Sequence, residues 1–151
     1  MYDVRDKTVM ITGAAGGLGY KFVEILLRNG AKSIAMIDLS TSNGQNAAAT
    51  LENEFGKGRA VFIACDLTKA DDLKKMFKKV IDTFKGLDIL INNAGIFNDN
   101  YWEKTIDLNI KALIHNSMMA FNYMGKHKSG KGGVIVNIAS VAALDPGYFK
   151  I

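Results

Sequence analysis

The chain has 151 residues, 48% of them apolar and 23% charged, which is enough for one domain with its own core. No apolar run reaches the ~18–20 residues that span a bilayer. The first residues, Met1-Tyr2-Asp3-Val4-Arg5-Asp6, are charged rather than an apolar signal core, so a cytoplasmic location with no membrane partner is expected. The net charge is a modest +4, and many of the lysines lie between Lys69 and Lys85 opposite an apolar helix stripe; that reads as a solvated helix face, not a nucleic-acid surface.

Along the chain, short apolar runs alternate with amphipathic ones. Lys7 to Ile11 reads as a buried strand, and Gly17 to Arg28 as a helix with Phe22, Val23, Leu26 and Leu27 on one side. Ser33 to Ile37 is a second strand ending in Asp38. Ser42 to Phe55 is a second helix, closed by Gly56 and Gly58, and Arg59 to Ala64 a third strand. Asp71 to Phe84 places Leu73, Met76, Phe77, Val80, Ile81 and Phe84 at helical spacing. Leu87 to Ile91 is strand four, Tyr101 to Lys126 one long helix, and Gly133 to Ile138 strand five. Strands separated by helices in this way predict right-handed βαβ crossovers and a parallel sheet. The expected fold class is therefore α/β, a Rossmann-type doubly wound parallel sheet, with residues 1–151 as a single domain. The long helix carries two apolar stripes. Ile106, Ile110, Leu113, Ser117, Phe121 and Met124 form one; Leu108, Ala112, Met119 and Tyr123 form the other. Either a wide core face or a covering neighbour, such as a second subunit, accounts for both.

Cys65 cannot form an internal disulfide, and after Val61-Phe62-Ile63-Ala64 it reads as a small core residue. His115 and His127 have no metal-ligand spacing with each other or with Cys65, so no metal site is expected.

The glycine-rich stretch Thr12-Gly13-Ala14-Ala15-Gly16-Gly17-Leu18-Gly19 lies between the first strand and the first helix. Such a turn lets backbone amides approach a pyrophosphate closely and lets helix pack tightly on strand. Asp38 follows about 20 residues on, where a carboxylate can accept both hydroxyls of an adenosine ribose and would repel a 2′-phosphate. Leu39-Ser40-Thr41 supply no cation to neutralise that phosphate. These residues favour NAD over NADP; the competing role for Asp38 is a turn or helix cap. Asp66 and Leu67 follow the third strand, where Asp66 can accept from an adenine amino group; the alternative is capping of the following helix by Asp66 or Thr68. Asn92-Asn93-Ala94-Gly95 ends the fourth strand; its amides can bridge neighbouring loops, and it is also good turn chemistry.

Taken together, Thr12-Gly-x-x-x-Gly-x-Gly19, Asp66, Asn92-Asn93-Ala94-Gly95, Asn109 and Asn137-Ile138-Ala139-Ser140 resemble the short-chain dehydrogenase/reductase family in order and spacing over essentially the whole chain. The resemblance implies that Thr12, Gly13, Gly16, Gly17, Leu18 and Gly19 hold the pyrophosphate of NAD and Asp38 its ribose. Asp66 and Leu67 would contact the adenine, and Asn93, Ala94 and Gly95 would line the nicotinamide side. It implies Ser140 and Asn109 as catalytic residues: Ser140 hydrogen-bonds the substrate oxygen, and Asn109 positions a water in a proton relay. The reaction implied is hydride transfer between a secondary alcohol and a ketone, a small-molecule substrate, by a homo-oligomer built on the 101–126 helix. The family's general base, in Tyr-x-x-x-Lys, would begin about a dozen residues past the serine, at or just beyond Ile151. Tyr148 comes too early to supply it. The chain then reads as an amino-terminal portion, with strand five an open edge and a marginal fold expected when it is made alone. The alternatives are a catalytically inactive nucleotide-binding or dimerising fragment, and a methyltransferase of similar fold. The methyltransferase leaves Asn92 to Gly95, Asn109 and Ser140 unexplained.

Overall fold

The computed structural model describes residues 2–141. Five strands, β1 (Thr8–Thr12), β2 (Ser33–Asp38), β3 (Ala60–Ala64), β4 (Ile89–Asn92) and β5 (Val134–Asn137), form one sheet in the order β3-β2-β1-β4-β5. Every neighbouring pair is parallel, with Thr12 level with Ile37, Asp38 level with Ala64 and Asn92 level with Asn137. The register matters because it brings the carboxyl ends of all five strands to one edge, where an open α/β sheet holds its ligands.

The strands alternate their apolar side chains between two cores. Val9, Ile11, Ile34 and Met36 pack with Val23 and Leu27 of α1 (Gly17–Arg28) and Leu51 of α2 (Gly44–Phe55). Met10, Ala35, Ile37 and Leu90 face the other way, onto Leu73, Met76 and Val80 of α3 (Ala70–Phe84). Both faces are covered, so central strands such as β1 are buried at every position, as a parallel sheet demands. The doubly wound α/β architecture expected from the alternation is present. Several boundaries shift by one or two residues, and α2 begins at Gly44 because Ser42 turns back, its hydroxyl accepting from the Gly44 amide at 3.3 Å.

The segment read as one long helix is not uniform. A short 3₁₀ turn (Asp99–Tyr101) leads into α4 (Trp102–Ile106), then into a π-helical segment (Asp107–Ala112), then into α5 (Leu113–Met124). A π turn holds an extra residue and rotates everything after it relative to a 3.6-residue period. The apolar stripes therefore differ from the expected ones. Ala112, Asn116, Ala120 and Met124 face the core, with Leu108 and Met119 beside them. Ile106, Ile110, Ile114, Met118 and Phe121 are exposed. Met124 belongs to the inner face, not to the stripe that includes Ile106 and Phe121.

A buried polar bridge joins α5 to the sheet. Asn92 donates from Nδ2 to the Ser117 hydroxyl at 3.0 Å and to Asn137 Oδ1 at 2.9 Å, and accepts from Asn116 Nδ2 at 3.4 Å. Asn116 is 1% exposed, and its Oδ1 has no partner among the described residues. Among those residues no helix is long and apolar enough to cross a membrane, and no group of three side chains could hold a metal ion.

Candidate active site

The glycines between β1 and α1 divide into two kinds. Gly13 and Gly19 are hemmed in by backbone. A Cβ on Gly19 would lie 2.1 Å from the Gly13 oxygen and 2.7 Å from Asn93 Nδ2, and one on Gly13 would lie 2.9 Å from the Ala94 Cα. Gly16 and Gly17 face open space, with nothing within 4 Å of a Cβ on either. The first pair lets the turn nest against the loop after β4. The second leaves the start of α1 bare, since Gly16 precedes the helix and no side chain caps it. Uncapped first-turn amides at the positive end of a helix are an anion site that a diphosphate fits. Leu18, half of its surface exposed, sits in that first turn.

The nesting is held by hydrogen bonds that Asn92 to Gly95 make possible. The Asn93 side-chain amide donates to the carbonyls of Thr12 at 3.0 Å and Gly13 at 3.1 Å. In return the Thr12 hydroxyl accepts from the backbone amides of Asn93 and Ala94, both at 3.0 Å. Thr12 is buried, so the isosteric change Thr12→Val leaves two backbone donors without an acceptor. We expect a loss of about 2 kcal/mol in a denaturant titration, whereas Thr12→Ser, which keeps the hydroxyl, costs less than half as much.

Asp38 stands at the end of β2 with both oxygens fixed. Oδ2 accepts from the Ala15 amide at 2.9 Å and Oδ1 from the Leu39 amide at 2.8 Å. Each oxygen keeps a second lone pair for a ligand hydroxyl. Asp38 caps no helix, because α2 starts after Asn43. Asp66 is tied into a turn, its Oδ1 accepting from the Thr68 hydroxyl at 2.7 Å and the Thr68 amide at 3.1 Å, with Lys69 Nζ 3.4 Å from its Oδ2. The Thr68 hydrogen bond is the main reason that its carboxyl lies below the usual carboxylate range, against partial desolvation. Asp66 does not cap α3, which follows Lys69.

Gly13, Asp38, Asp66, Leu67, Ala94 and Gly95 all line one cleft of about 670 Å³ along the carboxyl edge. Its far wall comes from the segment after β4 and includes Tyr101, Lys104 and Leu108. The sequence places Tyr101 and Lys104 in the long helix without a role and Leu108 in one of its apolar stripes; none of the three is expected in a cleft. Asn109, inside that segment, spends its side chain on one backbone residue: Nδ2 donates to the Ile96 carbonyl at 2.7 Å and Oδ1 accepts from the Ile96 amide at 2.9 Å. It thereby fixes the loop that carries Ala94 and Gly95. Ser140 lies three residues past β5 and is exposed; the Ile138 amide, two residues earlier, is anchored to the Asn92 carbonyl at 2.9 Å. Tyr148 lies outside the described residues.

Cys65 is a core residue, as its sequence context predicts. Burial pushes its thiol up to about 12, and the nearby carboxylates of Asp72 and Asp66 add to the shift. The folded chain therefore resists alkylation near neutral pH and reacts only after unfolding, which thiol titration with and without denaturant measures. The sign of the linkage follows. The folded thiol holds its proton more tightly than the unfolded one, whose value is 9.0, so its contribution to stability is complete below that pH and is lost as pH rises toward 12.

The profile of the short chain dehydrogenase family matches residues 7–151. The chain belongs to the short-chain dehydrogenase family. It is 41% identical over 143 residues to the 15-hydroxyprostaglandin dehydrogenases [NAD(+)] of Rattus norvegicus and Homo sapiens, covering 95% of this chain and 53% of each relative. It is 35% identical over 144 residues to alcohol dehydrogenase 1 of Ceratitis cosyra, covering 95% of this chain and 55% of that protein. The chain thus spans about half the length of the curated relatives it matches. In this member of the family the nested turn, the doubly anchored Asp38 and the cleft they open onto are parts of one continuous edge.

Proposed function

We propose that the chain carries the coenzyme site of a cytoplasmic NAD-dependent oxidoreductase that interconverts a secondary alcohol and a ketone. The observation that carries this reading is Asp38, a carboxylate locked by Ala15 and Leu39 at the end of β2, beside a helix start that only backbone fills. NAD would lay its diphosphate against Gly16, Gly17 and Leu18, its adenosine ribose against Asp38, and its adenine toward Asp66 and Leu67. Its nicotinamide end would come to Asn93, Ala94 and Gly95. When bound, it accepts or donates the hydride. Ser140 would hydrogen-bond the substrate oxygen, and Asn109, through the loop it clamps, would set the position of a relaying water. The names of relatives that carry NAD(+) and alcohol dehydrogenase in their titles support the same reading. Calorimetric titration of the chain with NAD, NADH and NADP tests it: NAD and NADH should release or absorb heat with saturable binding and NADP should bind more weakly. No binding of any of the three would remove the proposal. Turnover is tested separately, by following NADH formation from simple secondary alcohols.

We also infer that the chain self-associates through the 101–126 helical segment. Ile106, Ile110, Ile114, Met118 and Phe121 make a continuous exposed apolar strip, a larger patch than a solvated helix face carries. Sedimentation should give a dimer or larger, and Ile114→Lys with Phe121→Lys should give a folded monomer. A monomeric unmodified chain at high concentration would refute it.

A further inference from the structure

The cleft beside Asp38 has two unlike walls. One is formed by the ends of β2 and β3 and carries two carboxylates, Asp38 and Asp66. The other carries two large aromatic rings, Phe97 and Tyr101, which line the cleft and yet are 68% and 65% exposed. Two rings at the rim of a concave space expose a large apolar area to water, and a flat partner lying on them removes that cost. The charges of the cleft are mixed, since Lys104 stands on the aromatic wall and Lys69 lies 3.4 Å from Asp66, so the ring faces rather than a net charge select a planar partner. On the NAD reading the helix start takes the diphosphate and Asp38 the ribose, which leaves the space lined by Asp66 and the rings for the base.

We propose that Tyr101, supported by Phe97, forms an aromatic wall on which the adenine base of the coenzyme stacks, so that these two side chains set the chain's selectivity for adenine nucleotides. The inference rests on the NAD reading above and adds to it a recognition element from the segment after β4. Stacking on an aromatic side chain is sensitive to ring loss and insensitive to loss of the phenol hydroxyl.

The experiment uses AMP and its fluorescent etheno derivative. Tyr101→Leu should weaken AMP binding about tenfold, Phe97→Leu by less, and Tyr101→Phe should restore the affinity of the unmodified chain. Etheno-AMP emission should be quenched on binding to the unmodified chain and to Tyr101→Phe, and should recover in Tyr101→Leu at saturation. A merely structural role would not move that last signal. AMP affinity within about twofold of the unmodified chain in Tyr101→Leu, or undiminished quenching in that variant, overturns the aromatic wall and leaves the NAD reading standing. Failure of the unmodified chain to bind AMP, NAD and NADH alike overturns both.

Discussion

Gly19→Ala is expected to lose about 3 kcal/mol or more of stability, while Gly16→Ala melts with the unmodified chain. The added methyl is the same in both. At Gly19 it meets the Gly13 carbonyl at 2.1 Å and the Asn93 amide at 2.7 Å, and the first of these is backbone that cannot turn aside. To make room, α1 has to move off the β1 turn, and that movement breaks the Asn93 hydrogen bonds to Thr12 and Gly13. At Gly16 nothing lies within 4 Å, and the extended backbone there, φ −165°, suits any residue. A fall of roughly 10 °C in Tm for Gly19→Ala, against no change for Gly16→Ala, is the thermal-melt result. The calorimetric result runs the other way for Gly16: a stable protein whose methyl stands in the open space where the proposed site would take a diphosphate. Equal melting of the two variants would mean that the turn does not nest on the loop after β4.

The contrast shows where the sequence could be read and where it could not. The strand, turn and helix order around Gly13 to Gly19 was legible because glycine spacing and apolar runs are local signals. Which glycine faces protein and which faces solvent was not, since Asn93 lies some 80 residues away in sequence. The burial of β1 along its whole length was equally legible, and the helical spacing of α3 picked out the buried Leu73, Met76, Phe77 and Val80, with Ile81 and Phe84 half-buried beside them. The helix after β4 failed for a definite reason. A 3.6-residue period was laid over a segment with a π turn at Asp107–Ala112, and so it misassigned the face of Met124, beyond the turn. The π turn itself accompanies a tertiary demand, the two hydrogen bonds between Asn109 and the Ile96 backbone, which no local propensity encodes. Asp66 shows the middle case: its place at the end of β3 was evident, while its commitment to Thr68 rather than to the helix depends on where α3 begins.

Asp38→Ala should weaken NAD binding about 10- to 100-fold, the effect of losing one or two hydrogen bonds to a charged acceptor, and should bring NADP close to NAD in affinity. Two effects combine. On the proposed reading the carboxylate would accept from the ribose hydroxyls and repel a 2′-phosphate, so its removal would lower one affinity and raise the other. It is also the acceptor for the Ala15 and Leu39 amides, so its removal loosens the turn proposed to hold the diphosphate. Asp38→Asn separates them. An amide offers one acceptor oxygen where the carboxylate offers two, so one of the two backbone bonds is lost, and the charge is lost entirely. If discrimination against NADP is electrostatic, Asp38→Asn loses it as completely as Asp38→Ala while retaining more of the NAD affinity. If Asp38 acts only by shaping the turn, both variants weaken NAD and NADP in parallel and the ratio between them does not move. Calorimetry with both coenzymes on the three proteins, at one ionic strength because charge repulsion at an exposed site is screened by salt, measures that ratio directly.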